Sequence, residues 1–157
     1  MEIDWSKHHR YMPYSGWCGV TTIWTVLHAC GIKKSIYEIA LFTLKPWYGV
    51  PYSILIAYLN KFLSVVNYRT NASISDISRH LKLGHIVIIN FWDHDDGHYA
   101  IVSHCAKGQL TIIDSSRERD WKYTMTTKEL NSKWWDFLSD SLWHEKLVIW
   151  VDPKSKR

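Results

Sequence analysis

The sequence predicts an α+β fold, with a helical N-terminal half packed on a C-terminal antiparallel sheet. Three observations carry that prediction. Up to Gly84 the apolar residues recur mostly at helical spacing behind capping signals. From His85 to Asp114 they form three short apolar or alternating runs instead. The connections Asp93-His94-Asp95-Asp96-Gly97 and Ala106-Lys107-Gly108 are short and rich in turn residues, so neighbouring antiparallel strands are the simplest topology. Helices first and strands later is the order of an α+β chain.

The first helix starts behind the turn Tyr14-Ser15-Gly16-Trp17. There Val20, Ile23, Trp24, Leu27 and Cys30 recur at helical spacing, and Gly31 takes the place of a C-cap. Ser35 and Glu38 have capping-box spacing and open a short second helix carrying Ile39, Ala40 and Phe42. Pro46 breaks the chain, and Pro51 at a first helical position starts a third helix with Ile54, Leu55, Tyr58, Leu59 and Phe62. Val65 to Thr70 reads as a short edge strand. Ser73 and Asp76 offer capping oxygens to a fourth helix, with Ile74, Ile77 and Leu81 on one face. Three strands follow: His85 to Trp92, His98 to His104, and Gln109 to Asp114. Trp121 to Met125 reads as a further strand. Thr126 and Glu129 then open a helix carrying Leu130, Trp134, Phe137 and Leu138, and Lys146 to Val151 is a final strand ended by Asp152-Pro153. The expected division is one domain over residues 1–153 and a basic, solvated tail over residues 154–157.

With 157 residues, 46% of them hydrophobic, the chain can bury a core without disulfide or metal staples. Its 10 Trp and 9 Tyr need an interior or a groove, which excludes a disordered chain. The net charge of +4 is modest and the basic residues are scattered outside the tail, so no nucleic-acid partner is expected. Cys18, Cys30 and Cys105 are odd in number and form no Cys-x-x-Cys pair, which argues against structural zinc and against a disulfide framework. The acidic turn Asp93 to Asp96 lacks the loop length and glycine placement of a calcium site and reads as solvated, and His104-Cys105 has no second pair to complete a zinc site. No apolar run is long enough to cross a bilayer, and the first ten residues lack a signal-peptide pattern. Together these features predict no membrane insertion, no cofactor or metal, and a reducing compartment, the cytoplasm; oligomeric state is not encoded in any of them.

Cys18 falls in the first turn of its helix, where unsatisfied N–H groups and the helix dipole favour the negative charge of a thiolate nucleophile. Taken alone it reads equally well as a buried helix cysteine. A nucleophilic thiol needs a base, and the base needs an orienting acceptor on its other ring nitrogen. His98 opens a strand directly after Gly97, and Asp114 closes the next strand. Pairing through Ala106-Lys107-Gly108 brings the start of the one beside the end of the other. Singly, His98 reads as a strand-end histidine bound to water and Asp114 as the cap of a turn; their order and spacing join them to Cys18. His8 and His9 lie in a segment expected to pack near the cysteine.

Cys18-Gly19 on a helix start, Gly97-His98-Tyr99-Ala100-Ile101-Val102 entering a strand, and Leu110-Thr111-Ile112-Ile113-Asp114-Ser115 ending the next resemble the papain-like cysteine peptidases. Within them the chain is most similar to the bacteriocin-processing domains that cleave leader peptides after a double glycine. Ile77 to Ile88 and the helix behind Thr126 fit the same pattern. The resemblance implies a papain-like fold, a Cys18, His98 and Asp114 triad, a thioester intermediate, and a peptide or protein substrate. It also implies a glutamine six residues before the nucleophile, donating to the oxyanion; Met12 stands there, with a sulfur that cannot donate. Three functions fit: a cysteine peptidase or amide hydrolase, a peptidase-like domain that binds a peptide or protein partner without cleaving it, and a transglutaminase-like acyl transferase. Double-glycine specificity does not carry over, because those domains are normally fused to a transporter and this sequence has no transmembrane segment.

Overall fold

The computed structural model of the chain describes residues 3–136 and 144–157. A 3-10 turn at Trp5–Lys7 precedes three helices, α1 (Cys18–Ala29), α2 (Ile36–Thr43) and α3 (Tyr52–Leu59). Then come β1 (Val66–Arg69), α4 (Ile74–Lys82), β2 (Ile86–Asp93), β3 (Asp96–Ala106), β4 (Gln109–Ile113) and β5 (Lys122–Thr126). The chain continues through α5 (Thr127–Lys133), β6 (Trp135–Asp136), β7 (His144–Glu145) and β8 (Val148–Val151).

Local chemistry sets most of the boundaries. Ser73 and Asp76 close a full capping box on α4, and the Thr126 side chain accepts the Glu129 N–H to start α5. Ser35 precedes α2 without a side-chain capping bond, because Glu38 pairs with Lys34 at 2.9 Å instead of reaching back. The last predicted helix is shorter than its apolar spacing suggested. At Trp134 the backbone leaves helical geometry, and the buried indole donates to the Leu147 carbonyl at 3.1 Å, a partner that an extended helix would not reach. Phe137 and Leu138, expected on the same helix, lie outside the described residues.

Six strands form one sheet in the order β1-β8-β2-β3-β4-β5, all neighbours antiparallel, with β6 and β7 pairing separately. Both faces are covered. On one, Ile86, Ile88, Tyr99, Ile101 and Ile149 join Val20, Ile23, Leu27, Ile39, Leu55 and Leu59 of the first three helices. On the other, Val87, Ile89, Phe91, Val102 and Ile112 pack with Ile77 of α4 and Leu130 of α5. This double burial is why β2 reads as a continuous apolar run rather than an alternating one. Among the described residues no helix is long and apolar enough to cross a membrane.

The C-terminal tail departs from the frayed, solvated end expected of Lys154-Ser155-Lys156-Arg157. Ser64 donates its N–H to the Ser155 carbonyl at 2.7 Å, Val65 donates to the Ser155 hydroxyl, Arg157 donates to the Phe62 carbonyl at 2.9 Å, and Leu63 bridges Lys156. The segment between α3 and β1 has backbone groups that need partners, and the tail supplies them.

Candidate active site

Cys18 is the first residue of α1, whose N-terminus has no side-chain cap, so no capping oxygen takes its first-turn N–H groups. Gly19 lets this turn approach the loop ahead of α3: a Cβ there would lie 2.7 Å from the Val50 Cβ. Tyr99 fastens the same loop by donating its hydroxyl to the Val50 carbonyl at 2.8 Å. Cys18 Sγ lies 3.9 Å from the carbonyl oxygen of Gly97, the residue before His98.

His98 and Asp114 are brought together. His98 Nε2 lies 2.8 Å from Asp114 Oδ1, with His98 only 7% and Asp114 1% exposed. That contact depends on a slip in the β3–β4 pairing. His104 faces Thr111 near the turn, but beyond Ser103 the partners become Val102–Ile112 and Ile101–Ile113. Continued by one residue, this register sets Asp114 opposite Ala100, on the face that His98 shares. An unslipped hairpin would set it opposite Ile101, on the other face.

The Asp114 carboxylate is saturated with donors. Oδ1 also accepts the Ser116 N–H at 2.8 Å and the Ser116 hydroxyl at 2.6 Å; Oδ2 accepts the Tyr123 hydroxyl at 3.2 Å and has Arg117 Nε at 3.8 Å. Burial works to raise its pKa, but His98 and Ser116 outweigh it and hold the carboxyl well below the usual range. For His98 burial works to lower the pKa, and its hydrogen bond to Asp114 together with the neighbouring Cys18 sulfur outweighs that, raising the imidazole from 6.5 to about 10. The N-terminal segment straps the loop behind this pair. His9 Nε2 lies 3.1 Å from the Asp114 carbonyl, its ring stacks on Trp121, and Met12 donates its N–H to the Ser115 carbonyl at 2.8 Å. His8 pairs with His28 instead, Nδ1 to Nδ1 at 3.0 Å.

Cys18 opens into a cleft of about 270 Å³ whose walls include Trp17, Trp47, Tyr48, Gly97, Tyr99 and Asp136. Larger hollows, of about 680 Å³ beside α4 and about 890 Å³ under the N-terminal segment, lie away from the thiol. At Gly97 a side chain has no room beside Asp136, since a Cβ there would fall within the Asp136 carboxylate. Asp136, 2% exposed, thus borders the cleft beside Gly97, the residue before His98. Sequence reasoning did not single out Asp136, Ser116 or Tyr123. Ser116 carried a signal, the Asp-x-Ser spacing of an Asx turn; Asp136 carried none, because β6 and its partner β7 are two residues each. Cys30 is buried, and Cys105 lies on β3 beside the larger hollow near α4.

Residues 15–138 match the Peptidase C39 family. No curated protein matches the chain by sequence. Among solved structures, a C39-like peptidase from Bacillus anthracis superposes with a TM-score of 0.71 at 14% identity, covering 99% of this chain and 98% of its own. The peptidase domain of Streptococcus ComA, a bi-functional ABC transporter involved in quorum sensing, gives 0.68 at 14% identity over 92% and 98%. A double glycine motif protease from an AMS/PCAT transporter, solved in complex with its leader peptide, gives 0.66 at 7% identity over 91% and 89%. The α+β architecture is therefore that of the papain-like peptidase domains, and the family match over most of its length places this chain in the Peptidase C39 family as a cysteine peptidase-like domain.

Proposed function

We propose that the chain is a cysteine peptidase or amide hydrolase acting on peptides through Cys18, His98 and Asp114. The observation that carries this reading is the buried 2.8 Å bond from His98 to Asp114, which leaves Nδ1 of the same ring for the thiol at the start of α1. Cys18 attacks the carbonyl carbon as a thiolate, forming the C–S bond while the carbonyl electrons move onto oxygen. The Cys18 backbone N–H, at an uncapped helix N-terminus, donates to that oxyanion. As the intermediate collapses, the C–N bond breaks and imidazolium His98 gives its proton to the departing amine. His98 then takes a proton from water, whose oxygen attacks the thioester; the acid leaves and the thiolate returns. Asp114 fixes the ring orientation and stabilises its charged form throughout.

Peptide as the substrate class is supported by the leader-peptide complex of the transporter protease that shares this fold. Free thiols at all three cysteines support a cytoplasmic setting. Met12 favours a second reading, a domain that binds a peptide without cleaving it, since losing one oxyanion donor costs on the order of 10²–10³ in rate.

A peptidyl acyloxymethyl ketone separates the readings. Labelling of Cys18 that is lost in His98→Ala, together with cleavage of a peptide library that is lost in Cys18→Ala, supports the hydrolase. Binding of peptides without labelling or cleavage overturns it in favour of the binding domain. Products carrying an added amine in place of water assign an acyl transferase.

A further inference from the structure

We infer that the outer face of α2 and the turn behind it dock the chain on an anionic lipid bilayer, on which it lies without crossing. The face forms one rim of the Cys18 cleft.

Five large apolar or aromatic side chains between Tyr37 and Tyr48 stay outside the core. Tyr37 and Leu41, four residues apart, share a stripe along α2, Phe42 stands next to it, and Trp47 and Tyr48 follow in the turn closed by the Lys45–Gly49 bridge. Leu41 is 80% and Trp47 98% exposed, and the other three are more than half exposed. Trp47 also has a φ of 71°, a geometry suited to glycine, so packing gains nothing from the largest side chain in the sequence. The Tyr37 ring meets that of Trp17 at 6.0 Å, and Trp17, Trp47 and Tyr48 all line the cleft, so the exposed residues run together along its edge. A run of this kind marks a contact surface.

Shape and charge choose the occupant. Side chains this exposed stand out from the surface, and a rigid partner would need a socket for each, whereas a headgroup layer yields around them. Trp and Tyr settle at headgroup level, and Leu and Phe reach the acyl boundary. From Tyr11 to Ser75 the chain has five cations, Lys33, Lys34, Lys45, Lys61 and Arg69, and one acid, Glu38, so this stretch carries the whole formal charge of +4. That acid is tied to Lys34 at 2.9 Å. Lys61 lies over the Phe42 ring at 5.3 Å and Lys45 stands at the foot of the Trp47 turn, so a cation flanks each apolar group. Asp96 and Asp136 line the same cleft but belong to β3 and β6, off this stretch. Apolar side chains ringed by lysine complement an anionic headgroup layer, and α2, of 8 residues, is too short to span one and lies in its plane.

The test is flotation of the full chain with vesicles of phosphatidylcholine alone or with about a third phosphatidylglycerol. The mixed vesicles are expected to carry the chain at a lipid concentration at least about tenfold lower than phosphatidylcholine alone. Leu41→Ser combined with Trp47→Ala should raise that concentration about tenfold or more, and Lys45→Gln combined with Lys61→Gln should raise it on the mixed vesicles only. All four side chains are exposed, so thermal denaturation should show both variants folded. Flotation that is equal in the parent and in the Leu41→Ser, Trp47→Ala variant places the lipid contact elsewhere and overturns the inference. Absence of flotation overturns it too, and a raised KM for peptide cleavage in Leu41→Ser would then assign the face to the substrate chain. Vesicle binding needs no turnover, so failure of the peptidase reading leaves this test unaffected.

Discussion

Nε2 of His98, rather than Nδ1, faces Asp114, and the 2.8 Å bond between them is buried on both sides. The geometry fixes one ring nitrogen by a carboxylate and leaves the other for Cys18. Asp114→Asn keeps an acceptor for Nε2–H but removes the charge that favours imidazolium. It should lower kcat/KM by on the order of tenfold, and Asp114→Ala by substantially more, since Cys-His-Asn arrangements are competent in related chemistry. The alkaline limb of the pH profile should move down from near 10 towards the ordinary histidine value of 6.5. A limb that stays in place in Asp114→Asn would remove the carboxylate from the account of His98.

Stability should follow the same proton. His98 binds it more tightly in the folded chain, so its contribution is whole below pH 6.5 and is lost as the pH rises to about 10. Asp114 is shifted the other way, and its contribution is whole above pH 3.8 and lost as the pH falls further. Thermal denaturation of the protein should therefore give a Tm that declines from pH 6.5 to 10 more steeply than that of His98→Gln. Parallel curves contradict the assignment.

The three thiols should differ sharply towards alkylation. Burial pushes Cys30 up to about 11, only partly offset by Lys156, and burial also raises Cys105. Treatment with iodoacetamide at pH 7, read by peptide mass spectrometry, should place one label on Cys18 before any appears on the other two. Prior labelling of Cys105 is the contrary outcome.

Gly97 leaves no room for a side chain, since a Cβ would meet the Asp136 carboxylate. Gly97→Ala should destabilise the fold by about 1–3 kcal/mol, the usual cost of overpacking. Adding Asp136→Ala should return part of that loss in chemical denaturation. Strictly additive losses in the double variant would mean that the two residues do not collide.

Trp134 tests the short α5. Its indole is buried and bonded to the Leu147 carbonyl at 3.1 Å, so Trp134→Ala should cost about 3–5 kcal/mol in urea unfolding. Trp134→Phe should cost less, because it keeps most of the apolar volume although it loses the donor.

Much of the architecture could be read from the chain because it is local. Capping at Ser73 and Thr126, the turns at His94-Asp95 and Lys107-Gly108, and the change from helical to strand spacing at His85 are all decided within a few residues. The nearness of His98 and Asp114 follows from the hairpin only once its register shift is included. Simple pairing sets them on opposite faces, and the slip at Ser103, which no composition signal marks, turns Asp114 round. What the sequence withheld is non-local. Nothing in Val148 to Val151 says that β8 lies between β1 and β2, and nothing in Asp136 says that it reaches the cleft through a strand of two residues. The tail misled for the same reason: its charges describe a solvated segment, whereas its backbone is bound to the segment after α3.

The place of β8 has a consequence for synthesis. Its residues are made more than a hundred after Cys18, yet they fill the gap between β1 and β2, so until β8 is made β1 lacks its one pairing strand and β2 lacks a partner on that edge. The thiol at the start of α1 is therefore translated well before the strand that joins β1 to the rest of the sheet against which the helix packs.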